Sequence, residues 1–343
     1  MNKLVLISMV KNESDIIESF IRHHLNIVDE MIIVDHNSCD STKQILECLH
    51  AEGLPIHIKT DYRVEQAQSE IMTSLMYEAI KKYGADIVVP LDADEFLVNI
   101  ETEENCRTIL QNIDSNGVYA VDSINYFPSL DDKTELFLPW RPCYRAREKQ
   151  KDPKVIVGRK VIEDFHVSLL QGNHDIGISK RKKKLINYSC CNLFQIAHFQ
   201  VRSREQFVSK VSVGWIGNLA RHNKTLNQAS HWKAAFEKIK HGMIISEDEI
   251  IKMVSGIDIE KKDLEYASLK KHCQYSQINY ADLIAVDPFI NLLYTSESLA
   301  AEYAHNKAKE RNIYYLTKMM IKSIKEGIQY IYFRKVRGIT HWQ

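Results

Sequence analysis

Two carboxylates one residue apart, Asp92 and Asp94, follow the apolar run Ile87-Val88-Val89-Pro90-Leu91. Paired acids at the end of a buried strand are costly unless something cationic offsets their repulsion. A hard divalent ion such as Mg²⁺ or Mn²⁺, bound through oxygen and shared with a diphosphate, is the natural partner. The same two residues would also serve to cap a turn or to pair with basic side chains. Their placement at a strand end, with Glu95-Phe96-Leu97 directly following, favours the ion. A run of basic residues, Lys180-Arg181-Lys182-Lys183-Lys184, offers either a solvated loop or a contact for an anionic acceptor or a departing diphosphate. No aromatic residues are interleaved in it, so nucleic acid is not expected as a partner.

The elements that must position Asp92 and Asp94 alternate between strand and helix. Leu4–Val10 reads as a first buried strand, and Asn12 or Ser14 is placed to cap the helix after it, whose apolar residues Ile16, Ile17, Phe20, Ile21, Leu25 and Val28 recur at helical spacing. Met31–Val34 is a second strand ending at Asp35. A second helix follows, with capping-box spacing at Ser41 and Gln44. A third strand is expected at Ile56–Ile58, a third helix through Ile71, Leu75, Ala79, Ile80 and Tyr83, and a fourth strand at Asp86–Leu91. This alternation implies βαβ units and a parallel sheet covered on both faces. Ligands of such sheets bind beyond the carboxyl ends of the strands. Asn12, Asp35, Asp92 and Asp94 are therefore expected to face one crevice.

Further along, strand-like stretches at Val118–Ile124, Val155–Ile162 and Phe194–Phe199 are separated by polar loops. Beyond about residue 220 the pattern is helical, at 231–241, 247–255, 260–272, 297–311 and 312–335. The expected division is 1–220 as the catalytic domain and 221–343 as a helical region for acceptor, membrane-surface or oligomer contacts.

Length and composition narrow the class. The chain has 343 residues, 45 basic and 45 acidic side chains, and 45% apolar residues, which suits a folded soluble protein and excludes a disordered or fibrous one. Seven cysteines, with only Cys190 and Cys191 close together, read as reduced thiols in a cytoplasmic protein. The opening apolar run is too short for a membrane span and lacks a small-residue cleavage site, so it is expected to be a strand rather than a signal peptide. The neutral total hides an asymmetry: residues 1–110 carry 20 acidic and 9 basic side chains, and the remainder carries the opposite excess.

Met9-Val10-Lys11-Asn12-Glu13, Ile33-Val34-Asp35-His36-Asn37-Ser38-Cys39-Asp40-Ser41-Thr42 and Leu91-Asp92-Ala93-Asp94-Glu95-Phe96-Leu97 together resemble the successive motifs of family-2-like glycosyltransferases with the GT-A fold. The opening Lys-Asn-Glu, the pair His23-His24 and the Asp-Ala-Asp-Glu-Phe block are similar to a bacterial subgroup. The similarity continues through Ala197-His198-Phe199, Arg202-Ser203 and Glu205–Lys210, so that it covers about residues 3–215. The resemblance implies an α/β nucleotide-diphospho-sugar transferase fold, Rossmann-like with a mostly parallel sheet, and a helical C-terminal extension. It places Val10, Asn12 and Glu13 beside the nucleotide base, Asp35 as acceptor for a uracil-type base, Asp92 near the ribose and metal, and Asp94 on the metal. Arg63, Gln66 and Lys210 fall where such enzymes contact the nucleotide or its phosphates. A later histidine often completes the Mn²⁺ or Mg²⁺ site, and His198 and His174 are the candidates.

An inverting enzyme of this fold uses a carboxylate to deprotonate the acceptor hydroxyl, and Asp175 and Asp164 are the candidate bases. The implied partners are a nucleotide-sugar donor, with a UDP-sugar favoured, and a glycan or lipid-linked acceptor in bacterial surface polysaccharide or lipooligosaccharide synthesis. The tryptophan-rich signature of processive synthases is missing, which points to transfer of a single sugar. Residues 313–337 mix aromatic and aliphatic side chains with Lys318, Lys322 and Lys325 at helical spacing. That pattern suits a peripheral contact with the inner face of the cytoplasmic membrane, packing on a domain, or a homo-oligomer contact. Two other functions stay open: a nucleotidyltransferase, disfavoured because Met9–Glu13 holds no glycine-rich phosphate loop, and a non-catalytic carbohydrate-binding or scaffold protein.

Overall fold

Apart from Ser8, every residue of Leu4–Val10 is apolar, which suits a strand covered on both faces. A computed structural model of the chain describes residues 1–65, 67–99, 105–130, 137–220, 230–255, 260–272 and 277–337. The first half runs β1 (Leu4–Val10), α1 (Ile17–His24), β2 (Glu30–Asp35), α2 (Thr42–Ala51), β3 (Ile56–Thr60), α3 (Gln68–Lys81), β4 (Ile87–Pro90), β5 (Glu95–Val98), α4 (Cys106–Asn112), β6 (Gly117–Pro128), β7 (Cys143–Arg145) and β8 (Lys154–Gly158). There follow α5 (Arg159–Phe165), β9 (Ser168–Leu169), β10 (Ile176–Gly177), α6 (Lys180–Lys183), β11 (Asn187–His198), α7 (Arg204–Ala220), α8 (Ser230–Lys240), α9 (Glu247–Ser255), β12 (Glu265–Ala267) and α10 (Pro288–Arg337).

Among the described residues the main sheet has ten strands, with β3, β2, β1 and β4 parallel at one end and β3 on the edge. β8 joins β4 antiparallel, β6 pairs antiparallel with β8 and parallel with β11, and β11 carries β5 antiparallel on its other edge. Alternation along β1 divides the core. Leu4 and Leu6 pack with Phe20 and Ile21 of α1 and Leu46 and Leu49 of α2, whereas Val5 and Ile7 pack with Met72, Leu75 and Met76 of α3 and Val161 and Ile162 of α5. The order β3-β2-β1-β4 reverses direction between β1 and β4, so the crevice at their carboxyl ends is where a ligand belongs.

Several expectations need correction. The stretch Val155–Ile162 is not one strand: β8 stops at Gly158 and α5 starts at Arg159. A side chain at Gly158 would lie 2.2 Å from the Ser115 carbonyl oxygen, so this turn requires glycine. The helix expected over 260–272 is absent. Short 3₁₀ turns at Lys261–Asp263 and Lys270–His272 flank β12, which pairs antiparallel with β7. Tertiary pairing overrides local propensity there. The two helices anticipated over 297–335 are one helix, α10. Lys180–Lys183 is helical, with Ser179 as its N-cap.

The expected caps also differ. Neither Ser41 nor the residue at the start of α1, Ile16, caps through its side chain; Asp40 accepts from the Thr42 N–H at 3.0 Å instead. The chain divides into two units, Met1–Tyr294 and Thr295–Gln343. Among the described residues no helix is long and apolar enough to cross a membrane.

Candidate active site

Three strand exits build the site. β1 and β2 are in register with Val10 opposite Asp35, and β1 and β4 with Ile7 opposite Pro90. Asn12, Asp35, Asp92 and Asp94 thus all follow strands that end on the same side of the sheet. Asn12 (φ 55°) and Asn37 (φ 53°) both turn through the left-handed region, which asparagine adopts more readily than most residues. The two turns are tied together: the Asn12 N–H donates to Ser38 Oγ at 3.0 Å, Asn12 Oδ1 accepts from the Cys39 N–H at 2.9 Å, and Lys11 Nζ donates to the His36 carbonyl at 2.9 Å. Asn12 Nδ2 is buried with no partner among the described residues. It is therefore free to donate to a ligand between the turns.

Asp35 is buried, and that burial raises its carboxyl above the usual range despite hydrogen bonds from Ser38. Burial pushes the neighbouring His36 imidazole down to about 4, so it is neutral at physiological pH. Arg63 is held by Asp61 at 2.6 Å and Glu70 at 3.0 Å. Gln66 lies outside the described residues.

The two aspartates of the pair have different surroundings. Asp92 Oδ2 accepts from Lys154 Nζ at 2.9 Å and Oδ1 from Gln68 Nε2 at 2.7 Å, with Asn173 Nδ2 at 3.4 Å. Lys154 is buried on β8 and also meets Glu95 Oε1 at 2.6 Å. Glu95 is fully buried; desolvation raises its carboxyl and Lys154 opposes that rise. Asp94 Oδ2 meets Lys210 Nζ of α7 at 2.5 Å, and its Oδ1 lies 3.3 Å from His198 Nε2 at the end of β11. Burial alone would raise the Asp94 carboxyl, but Lys210, His198 and Arg202 hold it well below the usual carboxylate range.

Beside this group the buried Arg202 pairs with Asp15 at 2.7 Å and Glu13 at 2.5 Å. Desolvation raises the Glu13 carboxyl to about 7 against the pull of Arg202 and Lys210.

The structure thus brings together Glu13, Asp92, Asp94, His198 and Lys210. His174 stands apart from Asp94: its Nδ1 contacts the Pro153 carbonyl at 3.1 Å, and it sits on the Asp92 side near Lys154. Asp175 is engaged by Lys183, by Tyr188 Oη at 3.2 Å and by the Ile176 N–H. It lies on the loop whose Asn173 reaches Asp92. Asp164 is exposed on α5. Lys154 and Gln68 touch the aspartate pair and were not anticipated.

Among the described residues no three His, Cys, Asp or Glu side chains converge as a metal cage. Asp94 Oδ1 and His198 Nε2 nevertheless fit two ligands of one ion. Adjacent corners of an octahedron with bonds of about 2.1 Å are about 3 Å apart, and these atoms are separated by 3.3 Å. Phosphate oxygens and water would fill the other corners.

A parallel β3-β2-β1-β4 sheet with acids at its strand exits and an Asp-x-Asp after the fourth strand is the arrangement expected of a GT-A type nucleotide-diphospho-sugar transferase fold. Residues 6–159 match the family described as Glycosyl transferase family 2. The chain is also similar to glucosyl-3-phosphoglycerate synthase from Mycobacterium tuberculosis in complex with Mn²⁺, UDP and glucosyl-3-phosphoglycerate (14% identity, 71% of this chain and 82% of that chain covered, TM-score 0.34). The same enzyme in complex with Mg²⁺ and UDP gives 14% identity, coverage of 71% and 81%, and a TM-score of 0.35. A mannosyltransferase from Pyrobaculum calidifontis in complex with GDP-Man and Mn²⁺ gives 12% identity, coverage of 88% and 75%, and a TM-score of 0.38. Overlaps this loose define neither donor nor acceptor. No curated protein matches the chain.

Proposed function

We propose that the protein transfers a single sugar from a nucleoside-diphosphate sugar, a UDP-sugar in preference, to a glycan or lipid-linked acceptor, with inversion, in the assembly of a bacterial surface glycan. The observation that carries this reading is the pair Asp94–His198, at ligand-to-ligand spacing, beside the exits of β1, β2 and β4. In this reading Val10–Glu13 and Asp35 line the base, with Asp35 accepting from a uracil N–H, and Asp92 accepts from the ribose. Arg63 and Lys210 serve the phosphates. Asp94 and His198 hold Mn²⁺ or Mg²⁺, which when bound supplies positive charge against the departing diphosphate.

The acceptor oxygen bonds to the anomeric carbon as the bond from that carbon to the diphosphate oxygen breaks, and a carboxylate takes the acceptor proton. We assign that base to Asp175 rather than Asp164, because Asp175 lies on the loop that reaches Asp92 whereas Asp164 is exposed on α5. The exposed Ile313, Tyr314, Tyr315, Leu316, Met319 and Met320 of α10, with Lys318 among them, suit an anionic membrane surface on which a lipid-linked acceptor would be met.

The test is a thermal-shift panel of nucleoside diphosphates and their sugars with and without Mn²⁺. Stabilisation by one nucleoside diphosphate only with the metal is the expected outcome, since a ligand that binds the native state raises its midpoint. No shift with any donor, in a folded sample, would favour a binding or scaffold role instead.

A further inference from the structure

The ammonium groups on the Asp-x-Asp pair are not equivalent. Lys154 is locked, with its side chain only 4% exposed and its Nζ held between Asp92 at 2.9 Å and Glu95 at 2.6 Å. To leave, it would take from the fully buried Glu95 its close cation, with only His198 Nε2 at 3.9 Å remaining, a change that breaks a buried ion pair. Asp92 also accepts from Gln68 at 2.7 Å and Asn173 at 3.4 Å. Among the described residues Lys210 has one ion-pair partner, with the Glu13 carboxylate attracting it from further away. Its Nζ meets Asp94 Oδ2 at 2.5 Å, and its side chain is 28% exposed on α7. A flexible four-carbon stem with one partner and access to the crevice can swing to a new anion.

From this contrast we propose that Lys210 is a displaceable counter-ion which makes cation binding at Asp94 conditional on the diphosphate. This rests on the reading of Asp94 and His198 as metal ligands. Without nucleotide the ammonium neutralises Asp94 and competes with Mn²⁺ for the carboxylate. When a nucleoside diphosphate enters, its phosphate oxygens offer Lys210 an equivalent partner, the ammonium moves across, and both Asp94 oxygens become available. Lys154 cannot make this exchange, so Asp92 remains a fixed hydrogen-bond acceptor and the pair supports one ion rather than two. Cation and diphosphate are then coupled, and the coupling is reciprocal: each raises the affinity for the other by the same factor.

The experiment measures Mn²⁺ binding by electron paramagnetic resonance, with and without UDP, for the full chain and for Lys210→Met and Lys210→Gln. In the unaltered protein, UDP should tighten Mn²⁺ binding, with a stoichiometry of one ion. Removing the ammonium should raise the affinity for Mn²⁺ alone by about tenfold, within the range typical of coupled sites. UDP affinity in the absence of metal should fall in the same variants, because the diphosphate has lost its cation; a residue that only supported the fold would weaken both ligands together. Two neutral replacements guard against one that fails to fold. Unchanged affinity for Mn²⁺ alone in a folded variant overturns the gate while leaving the transferase reading intact. A protein that binds neither Mn²⁺ with UDP nor UDP with Mn²⁺ overturns the transferase reading, and the gate with it.

Discussion

Lys154→Met replaces the buried ammonium by an apolar side chain of similar length. Lys154 sits 2.6 Å from Glu95 Oε1 and 2.9 Å from Asp92 Oδ2, and Glu95 is fully buried. Gln68 and Asn173 still reach Asp92 in the variant, but Glu95 loses its close cation and keeps only His198 Nε2 at 3.9 Å. Stranding one partner of a buried pair costs about 3–5 kcal/mol, and at roughly 2–4 °C per kcal/mol that is a fall in Tm on the order of 10 °C. The loss should depend on pH in a definite sense. Burial already raises the Glu95 carboxyl, and without Lys154 it rises further. A carboxyl raised in the folded state gives stability that is present below its unfolded pKa and is lost as pH rises through the folded value. The gap between variant and wild type should therefore narrow as pH falls toward 5. The double variant Lys154→Met/Glu95→Gln should recover more than half of the loss, since a neutral amide replaces the stranded charge. Calorimetric melts across that pH range provide the assay. A loss below about 1 kcal/mol, or one that does not shrink in acid, would refute the reasoning that Lys154 is the obligatory counter-charge.

Glu13, whose carboxyl burial raises to about 7 from 4.5, contributes stability that is present below 4.5 and is lost as pH climbs through about 7. Glu13→Gln should flatten the fall of Tm over that window, and an unchanged profile would contradict it. Deletion of 313–343 should lower co-sedimentation with vesicles containing anionic lipid while leaving nucleotide-induced stabilisation in place. A truncated protein that changes oligomeric state instead would assign the segment to subunit packing.

Periodicity revealed the amino-terminal half well, because β1, β2 and β4 are buried on both faces and α2 and α3 each bury one apolar stripe. Asn12, Asp35 and Asp92 do lie at the ends of β1, β2 and β4, parallel strands that finish on one side of the sheet. What could not be read was long-range. Lys154 meets Asp92 across 62 positions, and nothing local distinguishes a lysine that opens an apolar strand from a solvated one. Gln68 lies in the first turn of α3, where its type and spacing suit a surface helix as well as a ligand to Asp92. The 260–272 segment has helical residue types, but Glu265–Ala267 finds a strand edge at β7, contributed by residues 120 positions earlier. In the sequence His23 and His24 stand out only as a pair that resembles the bacterial subgroup. Both are buried around Phe96, with burial lowering the His23 imidazole to about 4, so they are core residues.

Calorimetric titration of UDP, in Mn²⁺ and again in excess chelator, into the wild-type protein and Asp94→Asn tests the central claim most directly. Asp94 and His198 as ligands of a shared cation predict tight UDP binding to the wild type only with Mn²⁺, and loss of that metal dependence in Asp94→Asn with the fold intact. Equal UDP affinity with and without the metal in the wild type, or undiminished metal dependence in the variant, would contradict it.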